Sequence, residues 1–147
     1  MNGQVRGRFA RLAGLAALAV LAAPALAGCS ALAPDAPSAE GVAVAFAAAI
    51  ESGSAAEACA MLARGTVEEI ESSEDAPCEQ VILSLGLPAG GQGRTAEAFG
   101  RGAIVELDND TVFLVGNGAG DVRSWRVTAA GCEPRTERPY DCVVKGS

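Results

Sequence analysis

Short helices followed by an antiparallel meander, an α+β fold, is what the hydrophobic periods of residues 39–147 predict. Two observations carry this. Apolar residues recur at helical spacing between Val42 and Leu85, and beyond the glycine-rich stretch 88–94 the period falls to two. The expected architecture is helices packed on one face of a curved, cone-like sheet of about four strands. A third observation sets a separate segment ahead of this domain: residues 1–28 have the anatomy of an export signal.

That segment carries Arg6, Arg8 and Arg11 and no acidic residue, then an uncharged run over residues 12–23 built from Leu, Ala, Val and one Gly. Pro24 and Ala25 lead into Leu26, Ala27, Gly28 and Cys29, which resembles the lipobox of bacterial lipoprotein signal peptides. The resemblance implies cleavage between Gly28 and Cys29 and thioether attachment of diacylglycerol to Cys29, with palmitate-type acyl chains holding the protein to the extracytoplasmic face of the cell membrane. Small residues at Ala27 and Gly28 let the chain lie extended in a protease cleft, and a thiol is the nucleophile that takes up the lipid. Residues 12–33 also offer the ~20 uncharged residues a spanning helix needs. Pro24, Gly28 and the abundance of Ala argue against such a helix and for cleavage.

Net charge is −7, from 11 basic and 18 acidic residues. Losing three arginines with the signal leaves 8 basic against 18 acidic, a balance of −10 for residues 29–147. A body of that charge is soluble and repelled by anionic headgroups, so the acyl chains rather than the protein surface would do the anchoring. It is also a poor match for nucleic acid, which requires a basic face. The chain contains no His, which removes Ser-His-Asp and Cys-His catalysis and imidazole-dependent zinc sites.

Residues 30–38, with Pro34 and Pro37, have the composition of a solvated tether. Val42, Phe46, Ala49 and Ile50 then form one face of a helix that Gly53 ends. Ser54 and Glu57, and again Thr66 and Glu69, show the S/T-x-x-E spacing of a capping box and are expected to open two further helices. Residues 78–85 place Val81, Ile82 and Leu85 on one face, stopped by Gly86 and Pro88. Strands are expected over 99–107, 111–115, 124–129 and 140–144, with Asp108, Asn109 and Asp110 as one hairpin turn and residues 116–121 as a looser one.

Five cysteines is an odd number. Assigning Cys29 to the lipid leaves Cys59, Cys78, Cys132 and Cys142, which outside the cytoplasm read as two disulfides and admit three pairings. Cys59 with Cys78 and Cys132 with Cys142 are favoured because each pair closes a short local loop. Staples suit a mature domain with only five aromatic residues, since a core of Ala and Val buries less area per residue. No Cys-x-x-Cys spacing supports a redox or metal role.

The stretches T-V-F-L-V, W-R-V-T-A-A-G-C-E-P and R-P-Y-D-C, between Thr111 and Cys142, resemble the C-terminal half of small actinobacterial lipoproteins of unassigned role, themselves similar to the nuclear transport factor two-like (cystatin-like) superfamily. The resemblance implies a concave sheet with a pocket. It implies no activity, because enzymes of that superfamily generally place His and Asp in the cone and this chain has no His.

Among other candidates, Glu68, Glu69, Glu71, Glu74 and Asp75 read as a solvated helix face, since their spacing does not match a calcium loop. The glycines at 116, 118 and 120 lead into a strand and not a helix, unlike a phosphate loop. Arg123, Arg126, Arg135 and Arg138 are the one cationic cluster. The expected function is therefore a lipid-anchored binding or accessory module for an envelope protein or small ligand, with no catalytic residue, cofactor or metal. A carboxylate enzyme working in the cone, or a purely structural envelope protein, are the alternatives.

Overall fold

The computed structural model describes residues 35–117, 124–137 and 139–146. The signal segment, Leu26, Ala27, Gly28 and Cys29, residues 30–34, Arg123 and Arg138 lie outside the described residues.

Helix α1 spans Ala36–Glu51. It starts ahead of the expected boundary at residue 39 because Asp35 caps it. The carboxylate accepts the Ser38 N–H at 3.2 Å, and Pro37 lies in the first turn, where its fixed φ suits a helix. Residues 36–38 thus belong to the domain and not to the tether. Ala39, Ala43, Phe46, Ala47 and Ala49 form its buried face. Four alanines bring the helix axis close to its neighbours: a side chain at Gly90 would collide with the Ala47 Cβ, 2.5 Å away.

Three shorter helices follow, α2 (Ala55–Met61), α3 (Arg64–Glu74) and α4 (Cys78–Val81), the last running into a 3-10 turn at Ile82–Ser84. Neither expected capping box forms. Ser54 is the N-cap of α2, but its hydroxyl pairs with that of Ser52 at 3.0 Å instead of a helix amide. Thr66 sits inside α3, is 1 % exposed, and donates its hydroxyl to the Thr128 carbonyl at 3.2 Å. Its side chain anchors the helix to the sheet and does not cap it.

The sheet has five antiparallel strands in sequence order: β1 (Gly93–Phe99), β2 (Gly102–Leu107), β3 (Thr111–Asn117), β4 (Ser124–Pro134) and β5 (Tyr140–Lys145). The expected count of four is corrected at one place. The alternation over residues 99–107 is not one strand, because Gly100, at φ 57°, turns the chain and Phe99 pairs with Gly102 across a two-residue hairpin. Such a turn needs a positive φ, which glycine adopts without a steric penalty. The pairing then extends backward as β1 into Thr95–Ala98, whose small residues give only a weak period. Strand β4 also continues past residue 129, laddering Cys132, Glu133 and Pro134 against β5.

One face of the sheet is covered by the helices. Ala103, Val105 and Leu107 of β2, Val112 and Leu114 of β3, Trp125, Val127 and Ala130 of β4 and Val144 of β5 join Phe46, Ala58, Leu62, Ile70 and Ile82 in a single core. A bulge opposite Phe113 and Leu114 inserts Thr128 into β4. The Thr128 carbonyl receives both the Thr66 hydroxyl and the Gly146 N–H, the latter at 2.8 Å. Beside it the Val127 carbonyl accepts the Ala63 N–H at 2.8 Å, so the α2–α3 junction is docked on mid-β4 by the backbone.

Candidate functional site

The four cysteines expected to pair do so in the local combination. Cys59 of α2 bonds Cys78 at the start of α4, with Cα atoms 6.1 Å apart. Cys132 bonds Cys142 directly across β4 and β5, with Cα atoms 4.0 Å apart. The first bridge joins helices of seven and four residues, lengths that do not persist alone in water. Cys78 is further fixed by its N–H, which donates to the Glu71 carboxylate at 3.0 Å.

The second bridge borders a groove of about 470 Å³. Its walls come from Gly86 and Pro88 after the helices, Asn109 and Asp110 of the β2–β3 turn, and residues 131–133 and 141–143 of β4 and β5. The turn is held in place by several bonds. The Leu107 N–H donates to the Asp110 carbonyl at 2.8 Å, and the Asn109 side-chain amide donates to the Ala89 carbonyl at 3.0 Å. Asp110 then reaches across to β4, one carboxylate oxygen accepting the Gly131 N–H at 3.1 Å and the other the Cys132 N–H at 3.0 Å.

Gly131 has φ 67°, so β4 bends there and two consecutive amides turn toward one carboxylate. Burial of Asp110 raises its pKa above the ordinary carboxylate value, and the N–H groups of Gly131, Cys132 and Thr111 oppose that rise. With both oxygens engaged by backbone amides, Asp110 shapes the groove and is not arranged as a free acid or base. Glu133 and Asp141, both exposed, supply the groove's outward charge. Asp141 also pairs with Arg135 and is shared with an adjoining depression lined by Arg135, Thr136 and Glu137. The combined surface is open and mixed in polarity, suited to an extended segment of a partner or a ligand with polar groups.

The sequence marks Asp108, Asn109 and Asp110 as a hairpin turn and carries no sign of the clamp. Its partners lie 21 and 22 residues away, and no local spacing signals them. The two described members of the arginine cluster do not share one site. Arg126 lies near the start of β4 and Arg135 beyond its end, where it is committed to Asp141. The acidic run is spread over α3 and the loop after it, with Glu68 paired to Arg64 at 2.7 Å and Glu71 to the Cys78 amide. Among the described residues no three acidic or cysteine side chains are grouped to hold a metal ion.

Beneath the helices lies an apolar core. Trp125, 1 % exposed, and Phe46, Ile82, Val105, Val112 and Val127 pack together there. The Trp125 indole N–H is buried there with no hydrogen-bond partner among the described residues. No family model, curated protein or solved structure matches the chain.

Proposed function

We propose that the protein is an exported lipoprotein, held to the extracytoplasmic face of a membrane by diacylglycerol on Cys29, whose domain acts as a binding or accessory module. The observation that carries this reading is the cysteine balance. Four of the five cysteines bond to one another, so Cys29 has no cysteine of its own chain left to pair with, and it follows Leu26, Ala27 and Gly28 at the end of an apolar run. Two disulfides in a small domain also suit an oxidising compartment.

The groove beside the Cys132–Cys142 bridge is the surface offered for binding. The apolar interior supports binding at the surface in preference to carboxylate catalysis within a cone. Kinship with the nuclear transport factor two-like group belongs to the same proposal and rests on the residues between Thr111 and Cys142.

The test is Cys29→Ser in the native host. The variant should accumulate with its signal uncleaved or leave the membrane fraction, and should incorporate no labelled fatty acid. A variant correctly processed after Gly28 that still partitions into the detergent phase would overturn the anchor.

A further inference from the structure

The first helix begins soon after Cys29 in the sequence, so an anchor on Cys29 would limit how far the end of the domain from which α1 emerges can lie from the bilayer. Six residues separate Cys29 from Ala36, a reach of about 20 Å at ~3.3 Å per residue. Gly90 lies against Ala47 and Gly93 against Glu40, so the chain entering β1 runs antiparallel to α1. Continuing that way, β1 carries Phe99 and the β1–β2 turn to the end of the domain from which α1 emerges.

The surface at this end differs from the rest of the acidic body. Phe99 is 58 % exposed although it lies within a strand. Gly102 opposite it bears no side chain, and the same cross-strand row continues through Val115 to half-buried Arg126. Arg101 is exposed in the turn itself. Among the carboxylates of the strands and of the start of α1, Asp35 and Glu97 lie toward this end. Asp108, Asp110, Glu133, Glu137 and Asp141 lie at the opposite end of the strands, in the β2–β3 turn and along the tip of the β4–β5 hairpin.

We infer that the β1–β2 end of the sheet, with Phe99 and Arg101 at the turn and Arg126 beside them, docks on an anionic phospholipid surface. The inference rests on the lipid anchor proposed above and adds the orientation of the domain upon it. A body of charge −10 tethered within about 20 Å of such a surface is repelled as a whole, but the repulsion is uneven within a screening length of about 8 Å. It turns the acidic end outward and leaves the arginines to meet the headgroups. An aromatic ring at the apex then enters the interfacial layer, where apolar side chains are buried to a depth of about 5–10 Å.

The full lipidated chain, reconstituted in vesicles of phosphatidylcholine with and without phosphatidylglycerol, provides the test. A reporter is introduced as Phe99→Trp, with Thr136→Trp at the far end as its control; Trp125 is common to both and buried. With lipids brominated along their acyl chains, the reporter at 99 should be quenched about twofold more than the control, in keeping with interfacial depth. The difference should need phosphatidylglycerol and should be lost when Arg101→Glu is added. Equal quenching at both positions in a protein shown by mass spectrometry to carry its lipid would overturn the docking and leave the anchor standing. Absence of acylation on Cys29 would overturn both.

Discussion

The helical and sheet halves of the domain are stapled once each, but the two staples do different work. In the helical half, Cys59–Cys78 joins elements too short to hold themselves, around a core to which α1 contributes mostly alanine. In the sheet half, Cys132–Cys142 spans strands already aligned by ladder bonds on either side of it. Large buried apolar side chains come from both halves, Trp125, Leu107, Leu114 and four valines from the strands and Phe46, Leu62, Ile70 and Ile82 from the helical half. The cross-link matters more where no ladder of hydrogen bonds joins the elements it ties.

The sharpest test of this contrast is removal of each bridge in turn. Replacing Cys59 and Cys78 by Ala should cost about 3 kcal/mol by chain entropy and, in addition, expose α2 and α4 to hydrogen exchange below the global unfolding limit. Replacing Cys132 and Cys142 by Ala should cost about 2.5 kcal/mol, with the β4–β5 ladder still protected. Comparable loss of protection in both variants would dissolve the distinction.

A smaller effect probes what holds the sheet end together without a covalent bond. Asp110→Asn leaves one acceptor oxygen for two amides, so one N–H loses its partner at a cost of about 1–3 kcal/mol, measurable by urea unfolding. The same pair reports on pH. Because burial raises the folded pKa of Asp110 above its unfolded value, this group's contribution to stability is full below the unfolded pKa and is lost as pH rises through the folded one. Wild type minus Asp110→Asn should therefore decline across that acid range; a flat difference would contradict the assignment. The least effect is expected at Arg64→Ala, where an exposed i,i+4 pair with Glu68 is worth about 0.3–0.5 kcal/mol.

Legibility in the sequence followed range. Helix faces and the period-two strands depend on neighbours a few residues away, and residues such as Phe46, Ala49 and Ile82 are buried as their spacing predicts. The disulfide partners were readable because each lies within one segment. Missed features depended on distant partners or on conformation at a single residue. Thr66 has the signature of a cap but is drawn inward by the Thr128 carbonyl, 62 residues on. Gly100 divides an alternation that looks continuous, and β1 was hidden in alanine. Asp110 belongs to a turn by its neighbours and to β4 by its bonds.

Both covalent links join cysteines that are consecutive along the polypeptide once Cys29 is set aside, and neither loop encloses the other. A chain threaded amino end first through a translocation pore would present Cys78 to Cys59 well before Cys132 appears. An oxidase acting in order of emergence would then produce the native connectivity directly, with no call on an isomerase to correct it. In an exported chain the order of the thiols along the backbone would itself be a folding instruction.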